Sequence, residues 1–221
     1  MKDVNMERKK GDFSRLLDLP GFPAGKTVRR VLIGGARPEN LTIYLAALAA
    51  SSGFKVVVAD GANAFDPYVV AKFARKEGFP EDELLKKIAV ARGFTCHQIS
   101  TLVRERLEPM IPPGVAPFIV LLGPGNAFFD EDVPGEEAAL LFRRMMARVV
   151  EMSRKGFFFL MSQSFSKGNR QRSFLLRELA GSADAVLKLK PEADTLQVVM
   201  DKPPMILRKP WEAFEEFKKL T

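Results

Sequence analysis

The chain predicts an α/β fold, with a mostly parallel central sheet, helices on both faces and an antiparallel extension at its C-terminal edge. Three observations predict it. Short apolar runs alternate with helical patterns through most of the sequence, the order that parallel strands with helical crossovers require. Runs such as Lys55-Val-Val-Val-Ala-Asp60 and Phe118-Ile-Val-Leu-Leu122 are apolar on both faces, as central parallel strands are. The sequence then closes on strand-like segments with no helix between them, the pattern of hairpins at one edge.

In order, residues 1–27 form a polar, turn-rich lead-in, broken at Pro20-Gly21-Phe22-Pro23. Val28 to Ile33 reads as a strand ending in Gly34-Gly35, and Asn40 to Ser51, rich in Ala and Leu, as a buried helix. Lys55 to Asp60 is the second strand. Asp66-Pro67 opens a helix that runs to Glu77, with Asp as cap and Pro at the first helical position. Glu81 to Lys87 is a short charged helix and Ile88 to Arg92 a third strand. Ile99, Leu102, Val103 and Leu107 fall at helical spacing. Phe118 to Leu122, the amphipathic stretch Gly135 to Lys155, and Phe157 to Met161 read as strand, helix, strand. Ser164 to Ser173 is a basic loop, and Arg172 to Leu179 a short helix. Val186 to Lys190, Leu196 to Met200 and Met205 to Arg208 are the late strands. The core is therefore expected over residues 28–210. Residues 211–221 read as a terminal helix with Trp211, Phe214 and Phe217 on one face, a stripe suited to core packing.

Composition bounds the function. With 221 residues and 47% hydrophobic residues, the chain can bury one sizeable core. The 34 Lys+Arg against 27 Asp+Glu give a net charge of +7, which suits nucleic acid, an anionic ligand or an acidic partner without choosing among them. One cysteine (Cys96) excludes an intrachain disulfide, and one histidine (His97) beside it makes a zinc site impossible without several carboxylates. No metal is expected. A nucleophilic triad would need a second histidine or another base, and that constellation is absent. His97 reads as structural or capping, and Cys96 as a small buried residue. The polar N-terminus and the absence of any apolar run near the roughly 20 residues of a membrane helix lead to the expectation of a cytoplasmic protein with no membrane partner.

Taken together, several segments in order resemble the RecA/RadA/KaiC superfamily, the RadA-like recombinases and their paralogs above all. Val28 to Ala50 resembles the first core strand, its loop and its helix. Val56-Val-Val-Ala-Asp60 with Phe65-Asp66-Pro67 resembles the second strand and the next helix start. Ile88-Ala-Val-Ala-Arg-Gly-Phe94 followed by His97-Gln98 is the most specific local likeness. Phe118 to Gly123 stands where a Walker B strand would be, and Phe157 to Gln163 where a strand ends at a sensor position. The likeness covers about residues 14–204 and implies a RecA-like core.

It also implies a phosphate loop, and there the sequence departs from the pattern. Aligned on the helix start, the loop reads Gly35-Ala-Arg-Pro-Glu-Asn40-Leu41-Thr42. The first Gly and the hydroxyl of Thr42 are present. Asn40 replaces the second Gly and Leu41 the lysine that would neutralise phosphate charge. Pro38 removes one N–H, Glu39 adds negative charge, and Arg37 is a cation at a different point. The Walker B strand ends in Gly123-Pro124 instead of the aspartate that orders Mg²⁺, and the position of the catalytic glutamate falls at Ala62. Gly25-Lys26-Thr27 resembles the end of a P-loop, but it precedes the first strand and is read as a decoy. No catalytic residue and no cofactor is expected, ATP and Mg²⁺ included. A degenerate nucleotide site would use Gly35, Arg37, Asn40, Thr42 and Asp60. Asp60 and Asp66 could serve a small molecule or metal; the plainer reading is a strand end and a helix cap.

RadA-like recombinases hold DNA with two loops. The first corresponds here to the acidic Phe129 to Glu137. The second is Ser164 to Ser173, where Phe165, Lys167, Arg170 and Arg172 could stack on bases and hold phosphates. The first expectation is a non-catalytic RecA/RadA-like paralog, an accessory or regulatory protein of DNA recombination or repair that binds DNA or a RecA-type protein. A rebuilt anion site around Arg37, Thr42 and Asp60, and a homo-oligomeric interaction module, are the alternatives.

Overall fold

The structure is a computed structural model and describes residues 28–35, 37–112, 117–164, 172–192, 195–202 and 204–206. The lead-in before Val28 and the terminal helix expected over 211–221 lie outside the described residues.

Among the described residues, eight strands form one sheet in the order β3-β2-β4-β5-β1-β6-β7-β8. They are β1 (Arg30–Gly35), β2 (Lys55–Asp60), β3 (Ile88–Arg92), β4 (Pro117–Leu122), β5 (Phe158–Gln163), β6 (Ala185–Glu192), β7 (Thr195–Lys202) and β8 (Pro204–Ile206). The first six run parallel; β6 to β7 and β7 to β8 are antiparallel. The α/β class with an antiparallel edge is therefore as the sequence predicts.

Strand order and handedness place the helices. The connections β1 to β2 and β2 to β3 step one way along the sheet, while β3 to β4, β4 to β5 and β5 to β6 step back. Right-handed crossovers put the two sets on opposite faces. On the first face lie α1 (Pro38–Ser51), α2 (Pro67–Glu77) and α3 (Glu81–Leu85); on the second lie α4 (Cys96–Thr101), α5 (Gly135–Arg154) and α6 (Ser173–Ser182). The two cores follow from the strand period of two. Val31, Ile33, Val56, Val58, Phe118 and Val120 pack with Leu41, Ile43 and Phe73 on the first face. Leu32, Val57, Ile119 and Phe159 pack with Ile99, Phe142 and Leu175 on the second.

Three local features depart from the sequence expectation. The first helix begins at Pro38, two residues early, because proline at the first helical position gives up an N–H that has no helical acceptor. The helix expected through Leu107 stops at Thr101 and continues as a π-turn, Leu102–Arg106, in which Leu107 N–H reaches Leu102 O at 3.0 Å. That extra residue keeps both Val103 and Leu107 in the core. The cap of α4 is Thr95, not His97: Thr95 Oγ1 accepts from Gln98 N–H at 3.2 Å, and Gln98 Oε1 accepts from Thr95 N–H at 3.3 Å. This capping box is legible as Thr-x-x-Gln.

Candidate functional site

Open α/β sheets bind ligands at the carboxyl ends of their strands, where connections leave for opposite faces. Here β1 sends its chain to the first face and its neighbour β5 to the second. The two ends meet Gly35, Arg37 and Glu39 on one side and Gln163 and Ser164 on the other.

At the β1 end, Gly35 has φ of 107°, and a Cβ there would lie 2.1 Å from Leu189 O on β6. Its smallness therefore serves strand packing. Arg37 follows at φ 44° as the N-cap of α1, exposed and making no side-chain cap bond. Asn40 is half-buried on the first turn. Leu41 is 2% exposed and packs into the first-face core. Thr42 is buried, and its hydroxyl donates to Pro38 O at 2.8 Å, back into its own helix. The positive end of α1 has an anion supplied by its own first turn: Glu39 stands there, and Ser164 Oγ donates to Glu39 Oε1 at 3.4 Å.

Asp60 does not join this group. Its strand is three lateral steps from β1, about 14 Å. Its carboxylate is 1% exposed and holds the β2–α2 loop. Oδ1 accepts from Ala62 N–H at 3.2 Å and Ala64 N–H at 3.0 Å; Oδ2 accepts from Phe65 N–H at 3.0 Å and Arg92 Nε at 3.3 Å. Asp66 caps α2, its Oδ1 accepting from Tyr68 N–H at 2.8 Å.

The end of β4 is closed by backbone. Gly123 has φ of 55°, and a Cβ on it would stand 2.6 Å from Ala62 Cβ and 2.8 Å from Asn126 Nδ2. The two positions at which the sequence lacks carboxylates therefore touch each other. Beside them Gln163, 2% exposed, crosses from β5: its Oε1 accepts from Gly125 N–H at 2.9 Å and its Nε2 donates to Asn126 Oδ1 at 2.7 Å. This amide latch was not legible beforehand, since no spacing rule links Gln163 to Asn126. On the same strand Ser162 Oγ is buried with no hydrogen-bond partner among the described residues.

Of the expected nucleic-acid contacts, Phe165, Lys167 and Arg170 lie outside the described residues. Arg172 is placed, and its guanidinium faces the acidic loop. Nη1 donates to Phe128 O and Asp130 O, both at 2.7 Å, and Nη2 to Val133 O at 2.5 Å. Arg172 thus holds the acidic loop by its backbone, while Asp130, Glu131, Asp132, Glu136 and Glu137 stay exposed. His97 is exposed, its Nε2 3.5 Å from Glu137 Oε1. Cys96 is fully buried, and that burial pushes its thiol pKa up. Among the described residues no group of three or more His, Cys, Asp or Glu could hold a metal ion, and no helix is long and apolar enough to cross a membrane.

Compared with models of known protein families and with curated proteins, the chain matches none.

Proposed function

We propose that the chain is a non-catalytic RecA/RadA-like paralog, an accessory or regulatory protein of DNA recombination or repair that binds nucleic acid or a RecA-type partner without hydrolysing ATP. The observation that carries the reading is Leu41, an apolar side chain turned into the core at the place where the resemblance asks for a phosphate-binding lysine. The rest of the carboxyl edge supports it. Thr42, Asp60 and Gln163 spend their polar atoms on the protein itself. A Cβ on Gly123 would collide with Ala62 and Asn126, so that position has no room for a metal-ordering carboxylate.

The nucleic-acid part rests on the basic segment 164–173, near whose end Arg172 is anchored. Two measurements test the reading. Calorimetry with ATP and GTP, with and without Mg²⁺, is expected to give no binding heat, and a phosphate-release assay no turnover; micromolar binding with turnover would falsify the non-catalytic assignment. Fluorescence anisotropy with single-stranded DNA is expected to give salt-sensitive binding. Lys167→Ala with Arg170→Ala is expected to weaken it and to flatten its salt slope by about 1 per cation removed. Binding that the double variant leaves unchanged rules out this loop.

A further inference from the structure

We propose that the outer edge of β3 is a self-association surface, where two copies of the chain pair their β3 strands antiparallel about a two-fold axis at Val90. Among the described strands β3 hydrogen-bonds to β2 alone. Its sequence, Ile88-Ala-Val-Ala-Arg92, carries no proline and keeps charge to its ends, at Lys86-Lys87 before it and at Arg92, so that its middle has none of the residues that ordinarily guard an edge strand. Four of the five exposed large apolar residues of the described chain lie on the elements around this edge: Tyr68 at 73%, Phe79 at 39%, Val90 at 37% and Phe94 at 67%.

Their placement is self-complementary. Phe79 precedes α3 at the amino end of the sheet, Val90 is mid-strand, and Phe94 and Tyr68 stand at the carboxyl end. An antiparallel pairing brings the amino end of one strand to the carboxyl end of the other, and so Phe79 toward Phe94 and Tyr68 of the second copy. Charge is balanced and does not oppose the pairing: Asp82, Glu83, Lys86 and Lys87 are exposed at the amino end, and Arg92 at the carboxyl end is paired with Asp60 of its own chain. The register with β2 sets Ile88, Val90 and Arg92 on one face, leaving only Ala89 and Ala91 on the other, where they offer no obstruction.

Phe94 is held in place by the turn it sits in. Its N–H donates to Gln98 Oε1 at 2.9 Å, and Gly93 before it packs on the Ile99 backbone. An apolar residue just before a helix cap commonly covers the residue that would here be Ile99, yet Phe94 is left 67% exposed. At about 200 Å² per aromatic side chain, the exposed rings amount to about 350 Å² per copy. With the strand edges added, both copies bury about 1,000 Å², the low end for a specific interface. The expected dimer is reversible, with a dissociation constant in the micromolar range. It does not depend on whether the chain binds nucleic acid.

Sedimentation equilibrium over a concentration series is expected to show monomer passing to dimer. Val90→Lys sets like charges opposite each other on the axis and is expected to weaken the dimer by about tenfold or more, with circular dichroism checking that the fold is retained. Val90→Cys places the two thiols on directly opposed residues, about 5 Å between Cβ atoms, near the range at which a disulfide closes. Mild oxidation is expected to cross-link it into dimers much faster than Leu140→Cys on the far side of the molecule, since Cys96 is buried in both. A wild-type chain that stays monomeric through the series, including one whose edge instead takes a segment of another protein, overturns the proposal. So does Val90→Cys cross-linking no faster than Leu140→Cys.

Discussion

Placing a lysine at position 41 should damage the fold and bring no nucleotide binding. Leu41 is 2% exposed, on the first turn of α1, among Ile43, Val31 and Val58. Leu41→Lys loses about 2 kcal/mol of apolar burial. The ammonium is disfavoured again by burial and by the positive end of the helix, and each pKa unit by which it is pushed down costs about 1.4 kcal/mol at neutral pH. Together these give a loss of about 3–5 kcal/mol, or about 10 °C in Tm for a chain of this size. The sign with pH follows from linkage. A lysine whose folded pKa lies below its unfolded value leaves the unfolded state holding more protons. The penalty is then complete below the folded pKa and shrinks as pH rises toward the unfolded one. Leu41→Met keeps the volume and is expected to cost less than about 1.5 kcal/mol. Urea unfolding of the three proteins between neutral and alkaline pH reads all of this, and calorimetry with ATP completes it. A lysine variant as stable as the methionine one, or one that binds ATP, would show that this helix head is an open phosphate site and refute the packing account.

Two further perturbations probe what holds the scaffold. Asp184 ties the starts of β1 and β6: Arg30 Nη2 reaches its Oδ1 at 2.6 Å, and the N–H groups of Arg29 and Arg30 donate to its Oδ2 at 3.0 and 2.9 Å. Burial works to raise its pKa, but the Arg30 hydrogen bond, the two backbone N–H groups and the Arg30 charge outweigh it, so the carboxyl titrates below its ordinary value. Its stabilisation is present above the unfolded carboxyl pKa and lost as pH falls through the folded one. Asp184→Asn should therefore cost about 1–3 kcal/mol at neutral pH and progressively less in acid, measured by denaturant unfolding; a pH-independent difference would count against the charge-based account. Arg172→Ala removes three carbonyl contacts and should raise amide hydrogen exchange across residues 128–133, leaving β4 and β5 protected; unchanged exchange in that loop would mean that the clamp does not order it.

The layers of this fold were legible because each depends on a periodic pattern. Two-faced apolar runs marked β2 and β4, and the spacing along Gly135 to Arg154 marked α5. The π-turn was not legible, because Ile99, Leu102, Val103 and Leu107 suit an ordinary helix about as well, and packing alone inserts the extra residue. At the carboxyl edge, the absence of lysine and carboxylates could be read directly, but what fills the space could not. The contact of Gly123 with Ala62, the reach of Gln163 to Gly125 and the carbonyl clamp of Arg172 join residues 38 to 61 positions apart, and only the strand order brings them together.

That filling bears on how the edge could work at all. A site that had merely lost its lysine would keep free helix N–H groups and a ready hydroxyl, and one substitution could revive it. Here four of the polar side chains have another task. Glu39 stands at the helix head, Thr42 bonds its own helix, Asp60 holds a loop, and Gln163 latches β5 to the turn after β4. Recovering phosphate chemistry would require displacing these together, and Gly123 cannot take a side chain without moving Ala62 and Asn126. On the proposed reading the carboxyl edge is a support and not a phosphate site. On the proposed reading a partner would meet the basic segment that includes Arg172, the acidic loop that Arg172 fixes, or the apolar margin of β3. Those surfaces, not the sheet's ligand crevice, are where substitutions should change what the protein does while leaving its stability intact.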